Sequence, residues 1–277
     1  DSRPEEVFGH NVIEKAMVDQ VCKEFHARHK KVIVVLNVGG VIETESWKDL
    51  PDAILLSWFP GQECGNAVGD ILTGKVCPSG KLPMTFPIKY KDIPSSNNYP
   101  IVNKTKSGKN FDYTNYEENI WVGYRYFTTA HKKVSYPFGY GLSYTTFVYD
   151  HPKLRKKGDK WIAQIRVTNT GDRTGREVVQ LYVTTPLNGI EKPIYELKGF
   201  AKTSALRPRE RETISMTLTD YDLASFDAET STWIEGKGSC NFLFGSSSEE
   251  IKARISSKIT KEHRWKVDNV LRPVCPI

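Results

Sequence analysis

The hydrophobic pattern changes halfway along the chain, and this change constrains the fold more than any other feature of the sequence. In the first half, apolar residues recur at helical spacing or form unbroken runs such as Val32–Leu36. In the second half they alternate over short segments that are separated by turn residues. Two hydrophobic periods predict two domains of different class, and 277 residues are enough to build both.

The first half combines helical and strand patterns. A helical pattern over Val12–Arg28 precedes the strand Val32–Leu36, and a second apolar run, Ala53–Phe59, precedes a helical pattern over Glu63–Leu72. An unbroken apolar strand is typical of a parallel sheet that is covered on both faces, so we expect Val32–Leu36 to be buried on both sides. The order of elements predicts an α/β layered domain with a mostly parallel sheet.

The carboxyl ends of the two predicted strands are candidate ligand positions. They lead into Asn37–Gly40 and Pro60–Glu63, and ligands of open parallel sheets sit beyond this edge. Their glycines permit close approach of the backbone to a ligand or to a neighbouring element. Tight turns without a ligand would use the same residues, so both interpretations stay open.

A polar, irregular segment follows over Ile88–Tyr116, and aromatic residues then crowd between Phe111 and Phe147. A loop of this length in a compact domain is usually functional or mobile. The aromatic rings could stack on the apolar faces of sugars or pack a domain interface. The sequence does not choose between these two roles.

The second half predicts a β-sandwich of about 100 residues. The alternating segments are Trp161–Val167, Val178–Val183, Glu196–Thr203, Arg211–Leu218 and Asn241–Gly245. We expect Lys153–Gly158 to be a polar connector between the two domains. No clear element is predicted for the tail, residues 261–277.

Several classes of function are not indicated. The chain has no G-x-S-x-G elbow, no phosphate-binding glycine loop and no His pattern typical of a metal site. The basic runs Arg28–Lys31 and Arg155–Lys160 are short and lack stacking aromatics, so the net charge of +6 does not predict nucleic-acid binding. No apolar run approaches the roughly 20 residues that a membrane helix needs.

The cysteines and a sequon bear on the compartment in opposite directions. Five cysteines occur without C-x-x-C spacing, which favours buried or free thiols in a cytoplasmic protein. The sequon Asn103-Lys104-Thr105 would carry a glycan only in a secreted eukaryotic protein. The sequence leaves cytoplasmic and secreted locations open.

Carboxylates are the remaining candidates for catalysis. Glu63, Glu117, Glu118 and Asp1 lie next to glycines, aromatics or the chain start. A glycosidase needs two carboxylates that face one glycosidic bond. Local spacing does not identify such a pair here.

Five blocks, taken together and in order, make the chain recognisable. The first reads PGQECGNAVGDILTGKVCPSGKLPMTFP and covers Pro60–Pro87; the others are Tyr116–Phe127, Tyr136–Phe147, Val167–Val183 and Glu196–Phe200. They resemble the signature segments of glycoside hydrolase family 3, of the β-glucosidase and β-xylosidase type. The resemblance extends over essentially the whole chain.

The resemblance implies an architecture. Family members of this type have a barrel, then an α/β sandwich domain, then a fibronectin type III-like β-sandwich, and this chain resembles the last two. We therefore expect residues 1–150 to form the α/β sandwich domain, incomplete at its N-terminus. Residues 151–260 would form the fibronectin type III-like sandwich, and residues 261–277 a C-terminal tail.

The resemblance also implies where catalysis takes place. The nucleophilic Asp of the family belongs to the barrel, and the acid/base Glu belongs to a Gly-Glu-Gly-x-Asp-Arg stretch that Asp1-Ser2-Arg3 resembles at its end, with Ser2 interrupting the Asp-Arg pair. The acid/base Glu would then lie just before Asp1. No catalytic residue, metal or cofactor is expected within the chain.

Two functions follow as hypotheses. In the first, the chain is the C-terminal part of a retaining, exo-acting β-glycosidase that needs a barrel-bearing partner, acts on a small saccharide or glycoside, and is inactive alone. In the second, it is a non-catalytic carbohydrate-binding or scaffold protein that lost the barrel. Assembly into a homo-oligomer is compatible with either.

Overall fold

The computed structural model describes residues 12–99, 116–186, 188–268 and 270. The chain divides into two compact units. The first unit contains the chain up to Val76 together with Leu82–Gly139. The second contains Cys77–Lys81 together with the chain from Tyr140 onward. We call Cys77–Lys81 the strap, because it belongs to the second unit although it interrupts the first.

The first unit begins with the predicted combination of helices and parallel strands. Strands β1 and β2 are parallel, with Ile33 opposite Ala53 and Leu36 opposite Leu56, so the predicted parallel pairing is confirmed. Strands β3 and β4 pair antiparallel through Phe86 and Tyr136. The elements are α1 (Val12–His26), β1 (Ile33–Leu36), β2 (Ala53–Leu56), α2 (Cys64–Leu72), β3 (Phe86–Pro87), short 3-10 turns at Tyr90–Asp92 and Pro94–Asn97, α3 (Tyr124–Thr129) and β4 (Val134–Tyr136).

The Asp52 carboxylate fixes the start of the parallel pair. One oxygen accepts the Val32 backbone N–H at 2.8 Å and lies 2.9 Å from His26 Nε2. The other oxygen accepts from Lys31 Nζ at 2.6 Å. These hydrogen bonds hold the pKa of Asp52 well below its usual range, with the Lys31 ammonium as the largest cause. The end of α1 and the start of β1 are thereby tied to the residue just before β2.

The expected burial of the first strand is wrong. Ile33 is 47% exposed and Val35 is 40% exposed on β1, whereas Leu36 is buried. Helix α1 exposes the apolar residues Ile13, Met17, Val21 and Phe25, and helix α2 has no buried residue. An unbroken apolar strand needs other parts of the protein to pack against both of its faces. The described residues of this unit do not cover both faces of β1.

The second unit is an antiparallel β-sandwich. One sheet has the order β13-β12-β7-β8, a second β5-β6-β9, and a third, smaller sheet β10-β11-β14. Its strands are β5 (Phe147–Lys157), β6 (Lys160–Asn169), β7 (Val178–Thr184), β8 (Glu196–Lys202), β9 (Arg211–Thr219), β10 (Ser225–Asp227), β11 (Thr232–Glu235), β12 (Gly238–Gly245), β13 (Ile251–Ile259) and β14 (His263–Lys266).

A continuous core lies between the sheets of the second unit. Strand β6 points Trp161, Ala163, Ile165 and Val167 inward, and none of them is more than 2% exposed. The Trp161 ring lies 5.6 Å from that of Phe242 on the opposite sheet. Each buried side chain of this size stabilises the fold by about 1.5–3 kcal/mol. The period-two pattern of the sequence therefore marks this core correctly.

Two predictions for the second half are wrong. Lys153–Gly158 is not a connector, because Lys153–Lys157 continues strand β5, which pairs with β6 through Leu154 and Ala163. Its lysine-rich face is exposed on the edge of a sheet, and charged side chains on edge strands hide the strand pattern. The tail contains β14, which pairs with β11. The predicted limit between residues 150 and 151 falls within β5, and the domain limits remain a prediction.

No helix among the described residues is both long enough and apolar enough to cross a membrane.

Candidate functional site

The carboxyl edge of the β1–β2 pair is the candidate site that the sequence predicts within the described residues. The backbone N–H and the hydroxyl of Ser57 both donate to the carbonyl of Leu36, at 3.0 and 2.8 Å. These bonds bring the two loops that follow the strands, residues 37–40 and 57–63, side by side. The two candidate positions that the sequence indicates are therefore neighbours in the fold.

The glycines at this edge have different roles. A Cβ on Gly39 would lie 2.4 Å from the Phe59 ring, so Gly39 permits the close approach of the two loops. Gly61 has a φ of +72°, which favours glycine. Trp58 has a φ of +55°, a conformation that costs a bulky residue free energy. Such strain is common where a surface serves a function, and the Phe59 side chain is 72% exposed here.

The chemistry of this edge is limited by its single carboxylate. Glu63 is the one acidic residue of the two loops, it is exposed, and it accepts a hydrogen bond from Asn66 Nδ2 at 2.5 Å. Retaining hydrolysis needs two carboxyl groups across one bond. The two loops therefore offer one carboxylate and an exposed ring, and they contain no complete hydrolytic pair.

Other predicted positions lie elsewhere or outside the described residues. Glu117 is exposed and Glu118 is half-buried, both just before α3. The segment Asp1–Arg3 and the sequon at Asn103 lie outside the described residues. The expectation that the acid/base Glu precedes Asp1 therefore remains a prediction.

The aromatic-rich block mostly packs within the first unit. Tyr124 stacks on Phe138 with ring centroids 5.0 Å apart, and Phe127 is buried beside Tyr126. Packing rather than sugar stacking accounts for these rings. Tyr116, at 84% exposed, is an exception.

Three signature segments meet at the strap of the second unit. Lys81 of the strap forms an ion pair with Glu177 at 3.0 Å, and the two side chains are only 12% and 8% exposed. Lys81 Nζ also donates to the Gly141 carbonyl at 3.1 Å, and the Tyr149 hydroxyl donates to Glu177 at 3.3 Å. A Cβ on Gly141 would lie 2.3 Å from the carbonyl oxygen of Gly80. These residues hold the strap against the sandwich.

Asn169 joins the same region to the sheet. Its amide nitrogen donates to the carbonyls of Arg173 and Leu206, both at 2.8 Å, and its oxygen accepts from the Thr145 hydroxyl at 2.6 Å. A Cβ on Gly171 would lie 2.4 Å from Thr145 Oγ1. The Asn-Thr-Gly segment is therefore a structural element of the sandwich.

The second unit also contains a cluster that sequence spacing did not predict. The register of β11 and β14 places Glu235 opposite His263, and His263 Nδ1 lies 2.7 Å from Glu235 Oε2. Asp220, in the turn after β9, places Oδ2 3.9 Å from the same nitrogen. The three side chains offer ligand atoms within 4.8 Å of one another. No local motif contains residues so far apart in sequence, so only the strand register could have revealed them.

Burial shapes the electrostatics of this cluster. Glu235 is fully buried, and burial raises the pKa of its carboxyl, while the His263 hydrogen bond acts in the opposite direction. Asp220 Oδ1 accepts from the Trp161 indole at 2.6 Å and forms an ion pair with Lys156 at 2.8 Å. Oδ1 of Asp220 is therefore bound by Trp161 and Lys156, and Oδ2 faces His263.

Residues 10–144 match the glycosyl hydrolase family 3 C-terminal domain, and residues 177–248 match a fibronectin type III-like domain. The chain belongs to glycoside hydrolase family 3, in which it matches the C-terminal portion. The family resemblance and the predicted fold class, an α/β domain followed by a fibronectin type III-like sandwich, are confirmed.

The similar proteins of this family are named β-glucosidases. The chain is 40% identical over 258 residues to β-glucosidase A of Butyrivibrio fibrisolvens, covering 84% of this chain and 30% of that protein. It is 37% identical over 235 residues to the β-glucosidase of Kluyveromyces marxianus, covering 84% and 27%. β-Glucosidase 3B from Thermotoga neapolitana, solved in complex with α-D-glucose, matches with a TM-score of 0.89 and 42% identity, covering 96% of this chain and 36% of that one. The chain spans well under half of the length of each.

Proposed function

We propose that this chain is the C-terminal part of a retaining, exo-acting β-glycosidase of the β-glucosidase type, which releases terminal non-reducing β-linked sugars. A barrel-bearing part of the same enzyme supplies the nucleophilic Asp. The acid/base Glu comes from the stretch that precedes Asp1. The Asp attacks the anomeric carbon, the Glu protonates the leaving oxygen, and water then releases the sugar.

The observation that carries this proposal is the apolar surface of the first unit. Helix α1 exposes a row of apolar side chains: Ile13, which is 73% exposed, Met17, Val21 and Phe25. Ile33 and Val35 are exposed on β1. Among the described residues, the continuous core cluster lies in the second unit. Exposed apolar patches of this kind mark surfaces that another polypeptide covers. The relatives, in which the matched region is about a third or less of the chain, offer such a polypeptide.

Complementation is the direct test. The chain is assayed on an aryl β-glucoside alone and after co-expression with the part of Thermotoga neapolitana β-glucosidase 3B that it does not match. We expect turnover only in the co-expressed sample. Turnover by the chain alone within about 100-fold of the intact enzyme, or about 2.7 kcal/mol of activation free energy, would contradict the proposal.

A matched pair of variants tests the surface itself. Met17→Asp places a charge within the apolar face of α1, and we expect it to abolish co-purification with the barrel-bearing part. Phe200→Asp alters a side chain that is 70% exposed on β8 of the second unit, and it should leave co-purification unchanged. Equal effects of the two variants would exclude this face as the contact. A stable monomer that binds glucose without a partner would instead support the non-catalytic, carbohydrate-binding alternative.

A further inference from the structure

We propose that Asp220, Glu235 and His263 form a divalent transition-metal site of the zinc type in the second unit. The site is independent of the proposed glycosidase activity. It ties three segments of the sandwich together: the turn after β9, the end of β11 and the start of β14.

The Glu235 carboxyl is buried with only one of its two oxygens hydrogen-bonded to a described residue. Its side chain is completely buried, and Oε2 has His263 as its partner. The other oxygen of the same carboxyl, Oε1, has no hydrogen-bond partner among the described residues. Leaving such an acceptor buried and unsatisfied costs about 1–3 kcal/mol, and more when the group is charged. A cation held by both oxygens of this carboxyl would satisfy it.

The distances between the three side chains also fit a zinc ion. Zinc binds nitrogen and oxygen ligands at about 2.0–2.1 Å in a tetrahedron, which places the ligand atoms about 3.3 Å apart. From His263 Nδ1, the distances to Glu235 Oε2 and Asp220 Oδ2 are 2.7 and 3.9 Å. These separations lie on either side of the required value, so small side-chain rotations produce the coordination sphere. One imidazole with two carboxylates is a donor set that suits zinc better than calcium or magnesium.

Neighbouring side chains orient the Asp220 carboxylate. Trp161 and Lys156 both hold Asp220 through Oδ1, which leaves Oδ2 for the cluster. Outer hydrogen bonds of this type orient ligands in known metal sites. Lys156 neutralises one of the two carboxylates. With a divalent ion bound, Asp220, Glu235, Lys156 and the ion together carry a net charge of only about +1. Repulsion by this ammonium is the main opposing force, and its Nζ lies against the Trp161 ring at 4.4 Å from the centroid.

Solvent access completes the site. An open depression of about 400 Å³ leads to Asp220 and His263, with Asp159, Thr219, Tyr221 and Trp265 as its other walls. An ion can enter by this route, and a water molecule can supply the fourth ligand of a tetrahedral site.

Calorimetric titration of the full chain with ZnCl₂ tests the proposal, with CaCl₂ as the comparison ion. We expect one zinc ion bound per chain through this cluster, a rise in melting temperature with zinc, and no comparable effect of calcium. His263→Gln should weaken zinc binding by more than about 10-fold, the lower end of the losses seen for changes beyond the ligands themselves. His151→Gln is the matched control, because His151 also contacts a carboxylate, Asp150, at 2.9 Å but lies exposed.

Spectroscopy distinguishes this cluster from the cysteines. X-ray absorption at the zinc edge should show nitrogen and oxygen ligands only. A sulfur contribution, unchanged binding in His263→Gln, or no zinc binding at micromolar concentrations would overturn the proposal and leave an ordinary His–Glu hydrogen bond. If circular dichroism shows that His263→Gln is unfolded, Asp220→Asn decides the question by the same criteria.

Discussion

Removing one partner of the Lys81–Glu177 ion pair should strongly destabilise the second unit. In Lys81→Met the Glu177 carboxylate stays buried, with the Tyr149 hydroxyl as its remaining side-chain donor among the described residues. Breaking a buried pair in this way typically costs 3–5 kcal/mol. We expect about 3 kcal/mol, the lower limit, because Lys81 is 12% exposed and water can partly solvate the carboxylate.

The double variant Lys81→Met/Glu177→Leu distinguishes the loss of the ion pair from the cost of leaving the buried Glu177 carboxylate unpaired. Removing both charges avoids the unpaired carboxylate, and apolar replacements of buried pairs are often neutral in stability. The double variant should therefore be more stable than Lys81→Met by about 2 kcal/mol, which means that the two changes are far from additive. The backbone of residue 177 accepts from the Thr203 N–H and donates to the Thr203 hydroxyl, and both hydrogen bonds remain available in every variant.

Hydrogen exchange provides the measurement, because it reports opening free energies for each strand separately. Peptides that cover β6 and β7 follow the second unit without interference from the first. Arg264→Met is the matched control within the same unit: Arg264 Nε lies 2.6 Å from Glu262, but the Arg264 side chain is 56% exposed, so the loss should be below about 1 kcal/mol. Equal losses for Lys81→Met and Arg264→Met, or strictly additive losses in the double variant, would refute the reasoning.

Two further predictions concern a signature glycine and a buried carboxylate. Gly141→Ala should destabilise the chain by about 1–3 kcal/mol in urea unfolding, because the new Cβ meets the Gly80 carbonyl oxygen, whereas Gly80→Ala, with open space around it, should have little effect. The lowered pKa of Asp52 means that its stabilisation is complete above the unfolded-state pKa of about 3.9 and is lost as the pH falls below it. Wild type should therefore be more stable than Asp52→Asn at pH 6, with the difference shrinking below pH 4; a difference that does not depend on pH would contradict this account.

The sequence predicts those features whose cause is local. The apolar run Val32–Leu36 identifies a parallel strand, because strands of parallel sheets are typically apolar on both faces. The alternation from Trp161 to Val167 identifies the inner face of β6. Strand β5 is missed because its lysines follow the demands of an exposed edge instead of those of the core. Local patterns thus identify strands with a buried face and miss those that face solvent.

Features that depend on register could not be predicted. His263 and Glu235 become neighbours only because β14 pairs with β11 at one particular offset. Likewise, the sequence shows Gly141 and Lys81 as family signature residues, but only the fold explains them, since one avoids the backbone of Gly80 and the other neutralises Glu177. The physical role of these signature residues depends on contacts between segments that are distant in sequence.

The position of the strap has a consequence for the modularity of this chain. The polypeptide passes between the two units three times, at Val76, Lys81 and Gly139. A fibronectin type III-like module excised at residue 140 would lack Lys81 and carry Glu177 as an unneutralised charge in its interior. A single cut in the chain therefore cannot release the complete second unit, and transfer of the module to another protein at one junction should destabilise it. Conversely, a chain nicked after Gly139 would retain a non-covalent connection, since the strap would still hold the sandwich.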